Sequence, residues 1–231
     1  MCGRFTLTRS AADVAEHFDL AETPELAPRF NVAPGQAIAT VSRGAGALPL
    51  QLEMRSWGLV PSWARDPAIA GRLVNARIET AAVKPAFRDA LRRRRCLIPA
   101  DGFYEWHGGV GQRSALHFAL PGGALFGMAG LYEIWEDPAG ESVASCTILT
   151  SEANAIVAPI HPRMPVILDR EAWSGWLDPT LEDGEGALAR LRWHEADRLV
   201  ARRVGHRVDD ARHEGPDCLE PDPQGVLRFD R

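Results

Sequence analysis

The sequence predicts an α+β domain built on a mostly antiparallel sheet or irregular barrel, with several short helices. Short runs of apolar and β-branched residues recur along the chain, separated by Gly and Pro turns such as those at 121–123 and 137–140. Helical patterns are few and short, and strands and helices do not alternate regularly as they do in parallel α/β folds. Because neither an internal repeat nor a clear linker interrupts the chain, we expect one domain over residues 1–231.

The first part of the chain predicts one helix among strands. Ser10 and Asp13 form an N-terminal capping signature, and Val14 with Phe18 gives an apolar pair one turn apart, so we expect a helix at 11–18. Residues 29–35 are expected to form a loop because they contain Asn, Pro and Gly. Apolar runs predict strands at 2–8, 36–42 and 49–58.

The rest of the chain is dominated by predicted strands. A helical stretch follows Asn75 and is interrupted at Pro85, and a short helix starts at 151–154 and must end before Pro159. Further helices are expected at 171–177 and 183–192, and a loop at 161–165. The strands are predicted at 96–99, 103–107, 114–120, 124–135, 144–150, 166–168 and 199–208.

Composition excludes several classes of protein. Apolar residues make up 45% of the chain, which is too many for a disordered protein. The net charge of −5 argues against a protein that coats nucleic acid non-specifically. No stretch of about eighteen apolar residues and no signal peptide pattern is present, so we expect a cytoplasmic protein. The 4 cysteines form no Cys-x-x-Cys pair, and we therefore expect no metal site and no cofactor.

Cys2 can carry out unusual chemistry because of its position. If Met1 is removed, one residue carries both a free α-amine and a thiol. The amine can form an imine with an aldehyde, and the thiol can then close a five-membered thiazolidine ring. Lys84 is the sole lysine, so the N-terminus is the other amine available for imine chemistry. The alternative is that a small second residue simply favours removal of Met1.

Other polar and aromatic residues stand out by their settings. Asn75 lies at a predicted strand-to-helix junction, Glu105 lies between two aromatic residues, and His161 precedes a proline in a loop. Their ordinary alternatives are a helix cap, a solvent-facing strand residue and a loop residue. Trp63 stands in a polar loop and is a candidate for stacking on a base. The arginine run at 92–95 is typical of a solvated helix end.

Six segments, in this order, carry a resemblance to a known family: residues 1–4 (MCGR), 31–34 (NVAP), 57–63 (WGLVPSW), 75–77 (NAR), 101–106 (DGFYEW) and 161–165 (HPRMP). They make the chain resemble the SRAP family, the SOS-response-associated peptidases. One difference is visible. Ala64 and Arg65 follow Trp63, where we place no second stacking aromatic.

The resemblance implies a protein that senses abasic sites in single-stranded DNA, crosslinks to them through its N-terminal cysteine and shields the lesion. It assigns the catalytic roles to Cys2, Asn75, Glu105 and His161. It also implies self-removal of Met1, and hence peptidase as well as lyase-type activity. We expect a monomer that joins the nucleoid when bound to DNA. The expected DNA contacts are Arg4, Asn31, Pro34, Trp63, Arg77 and Arg163.

The residue chemistry agrees with these roles. An abasic sugar is mostly a closed ring, and a histidine that titrates near neutral pH can protonate it for opening. The α-amine has a pKa of about 7.7–8.0 and needs a base. Glu105 suits this step because apolar surroundings raise the pKa of a carboxyl. The Asn75 amide can fix the terminal cysteine, and arginines can hold phosphates bidentately.

Two alternatives stay open at this point. One is a conventional cysteine hydrolase that uses Cys2 and His161, with Asn75 as the orienting residue. The other is a non-covalent single-stranded DNA binder, with Trp63 stacking on bases and arginines on phosphates.

Overall fold

A computed structural model describes residues 2–43, 49–108, 113–137, 139–191 and 198–222. The α-helices in these ranges are short: α1 Ala11–His17, α2 Ile78–Ala81, α3 Arg88–Arg93, α4 Trp173–Trp176 and α5 Gly184–Ala189. The strands are β1 Phe5–Leu7, β2 Arg29–Val32, β3 Ala37–Arg43, β4 Leu50–Trp57, β5 Asn75–Arg77, β6 Arg95–Ala100, β7 Gly102–His107, β8 Ser114–Ala119, β9 Phe126–Glu136, β10 Ser142–Glu152, β11 Arg163–Pro165, β12 Ile167–Leu168 and β13 Val200–Val204.

Five of the strands close into a barrel. β10 pairs with β4, β4 with β3, β3 with β6, β6 with β9, and β9 returns to β10. Every pairing around this ring is antiparallel except that of β10 with β4. Closure removes the exposed strand edges that an open sheet presents. The barrel confirms the predicted α+β class with a mostly antiparallel, irregular barrel.

A second antiparallel sheet, in the order β13-β8-β7-β1-β2, packs against the barrel. Phe5, Phe103 and Phe118 from this sheet share a buried cluster with Trp57 and Ile98 of the barrel. On the opposite face, Tyr104 packs with residues that follow β13, including Val208 and Cys218. The sheet is therefore covered on both faces, by the barrel on one side and by the segment after β13 on the other.

Four predicted elements needed correction. The predicted loop at 29–35 contains β2, because Phe5 pairs with Val32 and Leu7 with Arg29. The predicted helix at 151–154 is wrong: β10 runs to Glu152, which pairs with Arg163, and turns follow at 155–160. The predicted strand at 199–208 ends at Val204, and a 3₁₀ turn follows at His206–Asp209. The predicted loop at 161–165 contains the short strand β11, Arg163–Pro165, and the predicted strand at 166–168 is β12.

Other local predictions are confirmed. Ser10 and Asp13 form a reciprocal capping box at the start of α1, with Asp13 N donating to Ser10 Oγ at 3.1 Å. The stretch after Asn75 is interrupted as expected, since α2 ends at Ala81 and α3 begins at Arg88. The predicted helix at 183–192 is α5, and residue 192 lies outside the described ranges. Within those ranges, no helix is long and apolar enough to cross a membrane.

Candidate active site

The predicted catalytic residues come from four different elements. Cys2 precedes β1, Asn75 begins β5, Glu105 lies in β7, and His161 lies in the turn before β11. The C-terminal end of β10 brings two of these elements together, because β5 pairs with it in parallel and β11 antiparallel. Residues 75–77 and 163–165 therefore flank the same strand end, beside the second sheet that carries Glu105.

Asn75 holds the backbone of Cys2. Its side-chain Nδ2 donates a hydrogen bond to the Cys2 carbonyl oxygen at 2.9 Å. Cys2 is completely buried, and its Sγ lies 4.0 Å from the carbonyl oxygen of Arg4. Burial raises the pKa of the Cys2 thiol far above its usual range, and the neighbouring Glu105 raises this pKa further. The thiol is thus kept neutral in this arrangement.

Glu105 is a buried carboxyl with a histidine nearby. Only 4% of the residue is exposed, and β7 is paired on both sides, by β1 and β8. Burial raises the pKa of Glu105, while the charge of His161 opposes the rise. The carboxyl Oε1 lies 4.0 Å from His161 Nδ1. A carboxyl with a raised pKa is a stronger base than an ordinary carboxylate, and its protonated form can return the proton.

The turn before β11 fixes the imidazole of His161. Its Nδ1 lies 3.0 Å from the backbone nitrogen of Arg163 and 3.0 Å from the carbonyl oxygen of the same residue. The N–H can donate to an unprotonated Nδ1, and the carbonyl can accept from a protonated one. The ring therefore keeps a backbone partner in either protonation state, as a proton-transferring histidine requires.

Glu105 and His161 border one cleft of about 600 Å³. Pro34, one of the expected DNA contacts, lies on the cleft wall. Trp106, Arg113 and Asp209 also line it, and the sequence analysis did not assign them to the site. Trp106 is adjacent to Glu105 in the chain, which was the available signal. The residues that line the cleft are Gly3, Arg4, Pro34, Glu105, Trp106, Arg113, His161 and Asp209.

Arg4 lines the cleft, whereas Asn31 lies behind it. Arg4 Nη1 donates to Asn31 Oδ1 at 2.6 Å, and Asn31 is completely buried. Burial lowers the pKa of the Arg4 guanidinium, and the carboxylates of Asp209 and Asp210 oppose this. The structure thus places Arg4 in the lining of the cleft and Asn31 in the interior, with no exposed surface.

The other two predicted phosphate ligands differ in their surroundings. Arg77 is exposed at the end of β5. Arg163 forms a bidentate ion pair with Glu79, with N–O distances of 2.7 and 2.9 Å. This pairing lowers the pKa of the Glu79 carboxyl. A phosphate would have to compete with Glu79 for the Arg163 guanidinium.

Trp63 is exposed, as its proposed stacking role requires. The residue is 54% exposed, and its Nε1 donates to the carbonyl oxygen of Pro85 at 3.3 Å. The indole borders a shallow cleft of about 290 Å³, which Arg65 and Arg72 also line. Where a second stacking aromatic is missing, the surface therefore offers arginine side chains beside a single indole.

One group of potential metal ligands lies within the described part of the chain. Donor atoms of His213, Asp217 and Cys218 all lie within 4.8 Å of one another. Asp217 is already paired with His213 at 2.9 Å and with Arg207 at 3.2 Å. These ion pairs account for the cluster as part of the packing of this segment, and we assign no metal to it.

Comparison with known proteins places this architecture in a family. Residues 1–211 match the family described as SOS response associated peptidase (SRAP). The Bacillus subtilis abasic site processing protein YoqW is 38% identical over 224 residues, covering 95% of this chain and 99% of YoqW. The mouse abasic site processing protein HMCES is 35% identical over 196 residues, covering 71% of this chain and 55% of HMCES.

Solved structures share the fold. A Bordetella bronchiseptica protein aligns with a TM-score of 0.76 at 29% identity, covering 88% of this chain and all (100%) of that one. A Bacteroides thetaiotaomicron protein aligns with a TM-score of 0.83 at 23% identity, covering 96% of this chain and 100% of that one. The second likeness supports the fold alone.

Proposed function

The chain belongs to the SRAP family, and from that premise we propose that it recognises abasic sites in single-stranded DNA and crosslinks to them through Cys2. The observation that carries the proposal is the arrangement of the four residues in two close pairs, one of which, Glu105 with His161, lines the cleft. Asn75 Nδ2 donates a hydrogen bond of 2.9 Å to the Cys2 carbonyl oxygen, and the Oε1 atom of the buried Glu105 lies 4.0 Å from His161 Nδ1. An amine-and-thiol nucleophile, a carboxyl and a histidine are the groups that the condensation needs.

The crosslink forms in two bond-making steps. After His161 assists opening of the sugar ring, the Cys2 α-amine attacks the aldehyde carbon, and loss of one water leaves an imine. The neutral thiol then adds across the imine, with its sulfur bonding to carbon and its proton passing to nitrogen, which closes the thiazolidine. Glu105 takes the proton from the ammonium and returns one to the departing hydroxyl. Its raised pKa suits both tasks.

Removal of Met1 is the step that creates the amine. We infer that the chain performs it itself, as a peptidase acting once. The Cys2 thiol attacks the Met1 carbonyl in an N-to-S acyl shift, and water then hydrolyses the thioester and releases methionine. Glu105 serves as the base for this reaction.

The imine stage also gives the protein a lyase-type activity. An imine at the sugar carbon acidifies the adjacent C–H, so a base can remove that proton and the 3′-phosphate leaves by β-elimination. Addition of the Cys2 thiol consumes the imine and competes with this cleavage. Fast addition of the thiol therefore gives a crosslinked, shielded lesion, whereas slow addition allows strand cleavage.

The experiment uses Met1-free protein and a single strand with one abasic site. Denaturing electrophoresis should show a heat-stable adduct, and intact mass should equal protein plus DNA less one water. The matched strand without the abasic site should give no adduct. Absence of a heat-stable product on the abasic strand would overturn the proposal.

The hydrolase alternative is the second candidate, and the site geometry disfavours it. A hydrolytic thiolate needs a lowered pKa and a histidine beside the sulfur. Burial instead raises the pKa of Cys2, and its Sγ lies 4.0 Å from the carbonyl oxygen of Arg4. A blocked N-terminus separates the two functions, because it abolishes imine formation and leaves a thiol hydrolase active. The non-covalent binder differs from both by retaining undamaged strands as well as abasic ones.

We further propose that residues 1–231 form one domain that acts as a monomer in the cytoplasm and on the nucleoid. Support for the single domain comes from the segment after the family match. Cys218 is fully buried against the second sheet, and Val204 forms a bridge with Pro221.

A further inference from the structure

One wall of the cleft is held by residues distant from it in the chain. Residues 205–219, here called the strap, follow β13 and cross the outer face of the second sheet. Two of its residues reach the cleft: Val208 O accepts a hydrogen bond from Arg4 Nη1 at 2.7 Å, and Asp209 lines the cavity. The strap therefore contacts the same guanidinium that is expected from the sequence to contact DNA.

Asn31 ties Arg4 to the strap. Its Nδ2 lies within hydrogen-bonding distance of three strap carbonyls, at 3.3 Å from Val208, 2.9 Å from Asp210 and 2.9 Å from His213. Its Oδ1 accepts from Arg4 Nη1 at 2.6 Å. Only an amide supplies donors to carbonyls and an acceptor to a guanidinium at the same position. Asn31 is completely buried, so these bonds form away from competing water.

Glu214 fastens the strap to the edge strand β2. Its Oε1 accepts from the backbone nitrogens of Phe30 and Asn31, and its Oε2 accepts from Arg29 Nε at 2.8 Å. Within the described part of the chain, β2 pairs with β1 alone, so Glu214 takes the place of a strand partner at these N–H groups. Glu214 thus fixes the position of Asn31 from the backbone side.

The Trp106 indole, which also lines the cleft, is held by the same segment. Trp106 Nε1 donates to Asp209 Oδ1 at 2.6 Å, and the guanidinium carbon of Arg4 lies 5.6 Å from the indole centroid. The Arg4 side chain loses most of its rotamer freedom before a ligand binds. Its Nη1 is held by Asn31 and Val208, and its guanidinium lies beside the Trp106 ring. Such preorganisation lowers the entropy cost of forming a charge-assisted bond to phosphate.

We propose that Asn31 is a positioning residue that presents Arg4 to a DNA phosphate, with Glu214 as the latch that holds Asn31 and the strap in place. The inference rests on the proposed function, because it assumes that the cleft takes DNA. It assigns to Asn31 a role through Arg4 in place of the direct DNA contact expected from the sequence.

A double-mutant cycle tests the inference. The measurement is the Kd for a single strand carrying an abasic analogue without an aldehyde, so that no crosslink forms. Arg4→Ala should weaken binding about tenfold and reduce the log-log salt slope by about 0.7. Asn31→Ala should do nearly the same, and the double variant should bind no more weakly than Arg4→Ala alone. Additive losses in the double variant would overturn the inference, as would wild-type affinity in either single variant.

Two further variants guard against a merely structural explanation. Glu214→Gln keeps part of the latch and should give a smaller loss, which disappears in the Arg4→Ala background. Asp217→Asn is the matched control, because this strap carboxylate pairs with His213 and Arg207 and not with β2. It should leave the Kd unchanged. The inference would be overturned if Asp217→Asn lost as much DNA affinity as Glu214→Gln. It would also be overturned if Glu214→Gln still weakened binding in the Arg4→Ala background. Crosslinking of the wild type to an aldehyde-bearing strand is scored separately, so failure of the proposed function is recognised independently.

Discussion

Asn75 holds Cys2 by the carbonyl oxygen that follows the reactive residue, at 2.9 Å from Nδ2. The bond that must be cut to release Met1 lies on the other side of Cys2. Asn75 therefore fixes the backbone on the downstream side of Cys2. Its amide constrains the backbone of a residue that would otherwise be a mobile chain end.

The first prediction concerns the two functions of Cys2. Cys2→Ala in Met1-free protein should lose the heat-stable adduct, because no thiol can close the ring. Its α-amine remains, so borohydride should trap the imine on abasic strands, and strand cleavage should increase. The measurement is denaturing electrophoresis with and without borohydride. A heat-stable adduct at the wild-type level without reduction would rule out the thiazolidine.

The second prediction concerns self-removal of Met1. Glu105→Ala should retain Met1 more than the wild type does, because the buried base is lost. Asn75→Ala should have a milder effect, since Asn75 holds the downstream side of the bond. The measurement is intact mass of proteins made by cell-free translation without methionine aminopeptidase. Equal Met1 loss in wild type and Glu105→Ala would exclude Glu105 as the base, and no loss in either would exclude self-processing.

The third prediction concerns the ion pair between Arg163 and Glu79. Glu79→Gln should tighten binding to single-stranded DNA, because it removes a carboxylate that competes with phosphate for Arg163. Arg163→Ala should weaken binding and reduce the log-log salt slope by about 0.7, and Arg77→Ala should do the same. Fluorescence anisotropy across a salt series gives both quantities. If Glu79→Gln and Arg163→Ala both leave the affinity unchanged, Arg163 does not contact the DNA.

The fourth prediction concerns stacking by Trp63. Trp63→Ala should cost about 1–3 kcal/mol of binding free energy if a base stacks on the exposed indole. Trp63→Phe is the matched control, because it keeps an aromatic face and should retain most of the affinity. Equal affinities for wild type and Trp63→Ala would place the DNA path away from this indole.

The fifth prediction concerns the pH dependence of stability. Burial lowers the pKa of His117 from 6.5 to about 4, and its Nε2 lies 3.1 Å from Thr6 Oγ1. The unfolded chain then binds more protons than the folded protein between these two values, so stability falls as the pH falls. The decrease in the free energy of unfolding attributable to His117 is about 3 kcal/mol between pH ~6.5 and pH ~4. Chemical denaturation of wild type and His117→Gln at both pH values measures it. The decrease should be smaller in the variant, and equal decreases would contradict the assignment to His117.

Local patterns gave good predictions for the strands and α1. The capping box at Ser10 and Asp13 and the turn-bounded strands depend on residues that are neighbours in the chain, and these predictions hold in the structure. The loop expected at 29–35 failed because β2 is set by pairing with β1 and by Glu214, and neither leaves a local signal.

The sequence by itself determined the chemistry of Cys2, because an α-amine and a thiol reside in one residue whatever the fold. It also supplied the residue types of the site through short segments in a fixed order. Tertiary structure alone decided which of them face the cleft. Asn31 and the strap meet through hydrogen bonds that span 177 to 182 residues, and Arg163 meets Glu79 across 84. Such partners depend on the order of strands in the sheets and on which strand edge remains free, and alternation along one strand carries no information about either.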